Sequence, residues 1–405
     1  VSPIPRDEPQ GDESHPHLPH APLWLLAMIT LSGTLAMHVF VPALPAARRE
    51  LGASVGAIQL TIGVYIVGLA IGHLVYGPLS DRYGRRRVLM IGLALFSTAG
   101  LAAAMAASVE LLVVLRFFQA LGGCAGMVIG RAMVRDTSAP KEAMRRLALM
   151  NLMMSVGPGG APLVGGALVS ILGWRSIYYA LALFGAVNFV LAWRRLAETR
   201  RAPADASGTT VTRHYLRLAK SPRFLAYAIG GGCATTSFWA FITAAPFVFV
   251  NQLHRPAHEV GFYLAFLISG MGFGSILATR LNRRYPLRHL LMGANAVIAA
   301  SAGTLTVVTL AGALSVGWVA ATMFVFVVGA AIVSPAALTE AISLNPSVIG
   351  SASGLYGFMQ MAVAAVCATL VGLGSNPALS SGLVLLGATL TGQACFRYAS
   401  HGPRS

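Results

Sequence analysis

Residues Gly72–Val88 read G-H-L-V-Y-G-P-L-S-D-R-Y-G-R-R-R-V, an arginine-rich connector set between two long apolar runs. Gly77 and Pro78 are expected to let the chain leave a helix in a tight turn. Asp81 offers a carboxylate to neighbouring arginines and to a helix N-terminus. A cluster that only set topology would need positive charge in any order. The ordered Gly-Pro-x-x-Asp-Arg-x-Gly-Arg-Arg pattern calls for a structured loop between two membrane helices.

The rest of the chain agrees with a membrane setting. It is 56% hydrophobic and 10% charged, with a mean hydropathy of +0.70. Soluble domains carry about 25% charged residues, so a soluble enzyme of this size would lack its polar skin. The net charge of +16 does not mark a nucleic-acid binder. Only Lys141 and Lys220 are lysines, and the arginines cluster between apolar runs, as they do in loops on one side of a membrane.

Apolar runs of spanning length fall at about 23–45, 55–79, 88–107, 109–133, 143–170 and 175–195, then at 222–250, 259–281, 288–310, 315–343, 349–374 and 377–397. The expected layout is a disordered tail (1–22), a six-helix bundle (23–195), a basic linker (196–221), a second six-helix bundle (222–397) and a short tail (398–405). No cleavable signal peptide is expected, because the first apolar run continues to a transmembrane length. With the N-terminus inside, 24 Lys and Arg residues fall inside and four outside, with Arg116 within a span. Both termini are therefore expected on the cytoplasmic side of a bacterial inner membrane. Cys124, Cys233, Cys367 and Cys395 lie within apolar runs and read as packing residues. His15, His17 and His20 belong to the polar tail, and no metal site or cofactor is expected.

Two six-helix halves suit a carrier that works by rocking. Neither lysine has the Gly-rich phosphate-loop context of an ATP-driven pump. No H-E-x-x-H or G-x-S-x-G constellation lies in the spans, so an intramembrane enzyme is not expected.

On these motifs the chain resembles the major facilitator superfamily, specifically the twelve-helix drug:proton antiporters of the bicyclomycin and chloramphenicol resistance branch. The resemblance covers about residues 30 to 395. Gly72–Val88 is similar to the family's gating-loop motif, giving Gly77, Asp81, Arg82, Gly84, Arg85 and Arg86 as gating residues. L-R-F-F-Q-A-L-G at 115–122 resembles the buried-arginine motif. S-V-G-P-G-G-A-P-L-V-G-G at 155–166 resembles the antiporter motif, with Gly157, Pro158, Gly165 and Gly166. V-P-A-L-P at 41–45 and F-W-A-F-I-T-A-A-P-F-V at 238–248 resemble the branch's first and seventh helices. The resemblance implies an all-α major facilitator fold of twelve transmembrane helices in two six-helix bundles. It also implies alternating access and export of a small molecule in exchange for protons, by a monomer with no nucleic-acid partner.

Arg116 lies about eight residues inside its span. A buried arginine is costly unless it faces a cavity or a partner. The resemblance implies a part in proton and substrate coupling; the alternative is an arginine that ties helices through backbone carbonyls. His38 stands where the branch usually has an acidic residue in a pattern resembling D-x-Y-x-P. Both residues are expected about 12 Å deep, within reach of each other across a cavity. Histidine can carry a proton near neutral pH, so His38 is either the proton or substrate group or a satisfied polar residue. Lacking the carboxylate, the cavity should disfavour cations and accept neutral or anionic compounds. An organic-anion or metabolite carrier of the same fold is the alternative.

Glu340 is a second candidate proton carrier, an ion-pair partner or a cap. His73 is expected in a gating hydrogen bond. The crowded glycines and prolines of the fifth span suggest a bending or leak-sealing element, and Gly122, Gly126 and Gly130 a packing stripe. Phe117, Phe238, Trp239, Phe241 and Tyr356 are candidate cavity aromatics.

Overall fold

A computed structural model describes residues 22–138, 140–199, 215–256, 259–282, 284–344 and 349–401. The tail histidines His15, His17 and His20 and most of the linker lie outside the described residues, as do the side chains of Lys141 and Pro158. Among the described residues there is no strand. The first half contains α1 (Leu23–Glu50), α2 (Val55–Tyr83), α3 (Arg85–Ala104), α4 (Val109–Asp136), α5 (Pro140–Leu172) and α6 (Arg175–Arg195). The second contains α7 (Pro222–Gln252), α8 (Glu259–Leu281), α9 (Leu287–Leu310), α10 (Val316–Ser343), α11 (Ile349–Gly372) and α12 (Pro377–His401). Eleven of these helices are long and apolar enough to cross a membrane; in α5 the apolar stretch is Gly159–Leu172 among the described residues.

Serines set several helix starts. Ser54, Ser108, Ser221 and Ser315 accept from the backbone N–H three residues on, at the beginnings of α2, α4, α7 and α10. Each satisfies a donor that the helix itself leaves unpaired. In hydrocarbon such a donor has no water to turn to.

The two halves repeat one packing scheme. In the first, α4 takes α1, α2 and α3, while α3 also packs on α6; in the second, α10 takes α7, α8 and α9, while α9 packs on α12. Helix n and helix n+6 thus find matching partners. The halves meet through α2 against α11 and α5 against α8, which are equivalent pairs under the same exchange. Small residues permit the approach. A Cβ added to Gly56 would lie 2.6 Å from the Gly372 carbonyl oxygen, and one on Gly261 would lie 2.6 Å from that of Pro162.

The packing stripe of α4 follows the same logic. A Cβ on Gly123 would sit 2.9 Å from Gly33 Cα, and Gly126 and Gly130 press on Ile29 and Thr30 of α1. The first helix of each half is also irregular. In α1 a 3-10 turn spans Val41–Ala43 around Pro42. In α7 the α-helical pattern lapses at Thr236 and Ser237 and ends in a π-helical turn, Val248–Gln252.

One expectation is corrected. The chain does not leave the helix at Gly77 and Pro78: α2 runs through both to Tyr83. A proline removes one backbone donor without obliging a helix to stop. The turn falls at Gly84, whose φ of 99° is a conformation that side-chain-bearing residues disfavour.

Candidate functional site

Arg116 lies in the middle of the first half and is fully buried. Its Nη1 donates to the Ala36 carbonyl of α1 at 3.2 Å and to Gln119 Oε1 at 2.8 Å. The guanidinium lies over three rings, 3.9 Å from the Tyr65 centroid, 5.3 Å from Phe40 and 5.8 Å from Tyr178. Ring faces are negative, and such contacts strengthen when water is excluded. The pocket therefore draws on α1, α2, α4 and α6. Arg116 and His38 are the ionisable Lys, Arg, His, Asp or Glu side chains that are buried among the described residues; no carboxylate is. Arg116 Nε and Nη2, Gln119 Nε2 and Tyr178 Oη make no hydrogen bond among the described residues.

His38 does not share this pocket. Its Nδ1 lies 2.8 Å from the Thr34 carbonyl. That oxygen can only accept, so Nδ1 carries a hydrogen and Nε2 is left to gain or lose the second proton. The imidazole packs on Trp239 of α7, with ring centroids 4.8 Å apart. Ala36 and Phe40, which meet Arg116, stand two residues to either side, about 200° away around the helix. The expected proximity of His38 and Arg116 thus gives way to opposite faces of α1, one turned into the first half and one toward the second.

The halves also share a side-chain hydrogen bond. Gln59 donates to the Thr243 carbonyl at 3.1 Å. On α11, Gln360 donates to Thr235 at 3.1 Å and its carbonyl accepts from Thr236 at 2.7 Å, fixing the irregular part of α7. His73 is partly buried between α2 and α11. Its Nδ1 lies 2.8 Å from the Leu69 carbonyl and 3.3 Å from Cys124 Sγ, and a Cβ on Gly357 would approach its ring to 3.3 Å.

The Gly72–Val88 loop is fastened within its own half. Arg85 pairs with Asp81 at 2.6 Å and with Asp136 of α4 at 2.9 Å, and donates to Ser80 at 2.7 Å. Arg86 donates to the Trp193 carbonyl at 2.7 Å. Arg82 lies over the Tyr83 ring. Glu198, just beyond α6, accepts from the backbone N–H groups of Arg85 and Arg86 at 2.8 and 3.1 Å. It supplies a carboxylate at the positive end of α3. A Cβ on Gly84 would meet that carboxylate at 2.6 Å.

In α5, Gly157 faces Leu31 and Gly165 meets the Val39 carbonyl, both on α1; Gly166 is buried. With Pro162 against Gly261, this helix touches its own half and the other half at once.

The aromatics divide. Trp239 faces His38. Phe238, Phe241 and Tyr356 are buried in the second half, where Phe238 stacks on Phe326 at 6.3 Å and Tyr356 is packed against Gly231. Phe117 is half-buried beside Phe118. Glu340 is partly exposed, with Tyr227, Arg223 and Arg288 close by. It is far from forming a set with Arg116.

Sequence reading missed Gln119, Tyr65, Tyr178, Asp136 and Glu198. Gln119 was within reach, since it follows Arg116 by three residues and shares its helix face. The others come from distant helices.

Similarity to known proteins gives the family. The Major Facilitator Superfamily profile matches residues 26–368, and the chain belongs to that family. It is 30% identical over 352 residues to multidrug resistance protein D of Escherichia coli (strain K12), covering 86% of this chain and 87% of that protein. It is 26% identical over 352 residues to the bicyclomycin resistance protein homolog of Haemophilus influenzae, covering 85% and 87%. The crystal structure of a D-xylose-proton symporter shares the fold, with a TM-score of 0.72 at 15% identity over 91% of this chain and 95% of that one. The protein is thus a multi-pass membrane transporter for a small molecule, not an enzyme.

Proposed function

We propose that the protein exports a small neutral or anionic, drug-like compound in exchange for protons, by alternating access between its two halves. Compounds of amphenicol or bicyclomycin type are the first candidates, given the names of the similar proteins. It works as a monomer in a bacterial inner membrane, with both termini cytoplasmic and no nucleic-acid partner.

The observation that carries this reading is the charge of the interior. Arg116 is buried and no carboxylate is buried with it among the described residues. A guanidinium stays charged under all working conditions, and no buried carboxylate among the described residues is there to hold a cation. His38 supports proton coupling, because its ring touches the opposite half through Trp239. Any rocking of the halves changes its surroundings and hence its hold on a proton. Arg116 acts from behind α1 as the fixed charge. The gating loop and α5, each anchored by close contacts, steady the two ends of the first half.

The second reading is an organic-anion or metabolite carrier, favoured by the unpaired Nε and Nη2 of Arg116. One experiment separates the two. An efflux-deficient bacterium expressing wild type or Arg116→Ala is challenged with amphenicols, bicyclomycin-like compounds, organic anions and lipophilic cations, with and without an uncoupler. Protection against a neutral or anionic compound, lost in the variant and with the uncoupler, is expected. Protection against a lipophilic cation contradicts the charge argument. Protection against nothing shifts the reading to a metabolite carrier.

A further inference from the structure

The first half carries a charge that its own residues do not balance. Arg116 is fully buried, cannot deprotonate, and has no buried carboxylate near it among the described residues. Buried charges are ordinarily paired. The Ala36 carbonyl and the Gln119 amide oxygen satisfy Nη1 alone, and the aromatic rings meet the faces of the guanidinium. Its Nε and Nη2 are left over. These two nitrogens form one side of the guanidinium fork, the edge that offers two parallel N–H bonds to a halide or a planar oxyanion. One further group able to donate, the hydroxyl of Tyr178, is buried without a partner among the described residues, on a ring whose centroid lies 5.8 Å from the guanidinium carbon.

We propose that this edge of Arg116, with Tyr178 Oη, binds a small monovalent anion as a resident counter-ion inside the first half. The class is a halide or a planar oxyanion such as nitrate. The site is distinct from the contact between halves, because His38 and Trp239 lie on the other face of α1. Its donors are sealed from bulk solvent, so an anion reaches them only when the surrounding helices part slightly. Exchange should therefore be slow.

The test uses the purified full-length protein in detergent and asks nothing of transport, so its failure and that of the export reading are separable. Thermal unfolding is compared in equal concentrations of sodium bromide, nitrate and gluconate, the last being too large for the site. Bromide and nitrate should raise Tm by several degrees over gluconate, and Arg116→Gln should abolish the difference. Tyr178→Phe, which keeps the ring and removes one hydroxyl, should raise the half-saturating bromide concentration about fivefold, the effect of one hydrogen bond of roughly 1 kcal/mol. Crystals grown in bromide should show an anomalous peak beside Nε and Nη2 of Arg116. Equal Tm in all three salts for wild type, or bromide-grown crystals without that peak, overturns the proposal. If Arg116→Gln does not fold, Tyr178→Phe and the anomalous peak still decide it.

Discussion

The two halves repeat one packing scheme but fill it with different chemistry. In the first half, α1, α2, α4 and α6 close around Arg116, Gln119 and Tyr65; in the second, Phe238, Phe241, Phe326 and Tyr356 are buried, with Phe238 stacked on Phe326. Both buried ionisable residues, Arg116 and His38, belong to the first half among the described residues. Helix packing in a membrane rests on close contact and small residues, and either interior satisfies it. The charge is therefore not required by the fold, and function is the natural place to look for its use. The second half offers apolar surface and shape, suited to holding varied compounds.

The largest expected effect bears on that asymmetry. Arg116→Lys keeps the charge but loses the fork and the planar stacking. Export should fall roughly tenfold or more, equivalent to about 1.4 kcal/mol, in a transport assay corrected for protein abundance. Phe326→Leu, a change of similar bulk in the second half, should alter which compounds are carried and leave proton coupling in place. If the two substitutions behave alike, the division of labour is wrong.

The next effect falls on stability instead of transport, at the seam that α5 makes. Gly165→Leu would press a side chain into the Val39 carbonyl. Overpacking of this kind costs about 1–3 kcal/mol, so the variant should be less abundant in membranes and melt earlier. Gly387→Leu on α12, where nothing lies within 4 Å, should change neither.

The smallest effects distinguish the halves by single hydroxyls. Tyr65 donates to the Gly33 carbonyl at 2.8 Å, so Tyr65→Phe should cost about 1 kcal/mol. The Tyr356 hydroxyl is buried without a partner, so Tyr356→Phe should be neutral or slightly stabilising. Thermal unfolding of the two variants side by side checks both signs. Glu198→Gln should lie between the largest and smallest effects, since it weakens a carboxylate that caps α3, a contribution of about 0.5–2 kcal/mol for such caps.

Much of the fold was readable in the chain because bilayer thickness fixes helix length, and the apolar runs fall within a few residues of the helices. The small-residue stripe of α4 was readable for the same reason: its spacing is a helix period. Helix facing was harder. His38 and Arg116 lie at similar expected depths, yet depth does not say which way a side chain turns, and the two residues look away from each other. The turn at Gly84 was hidden because Pro78 looked like the stronger breaker, whereas the left-handed backbone needed a glycine. Glu198 was invisible as a cap: it lies more than a hundred residues from the helix start it serves, and only tertiary packing brings them together.

The proposed proton-driven export through the first half has a direct test. The direct measurement is in proteoliposomes holding wild type or Arg116→Gln, supplied with a compound against which the protein protects cells. A pH-sensitive dye in the lumen reports protons as that compound is added under an imposed pH gradient. The account predicts proton flow opposite to the compound, absent in the variant, and a weaker pH response in His38→Leu. Compound movement at the same rate without a gradient, or unchanged proton flow in Arg116→Gln, would contradict it.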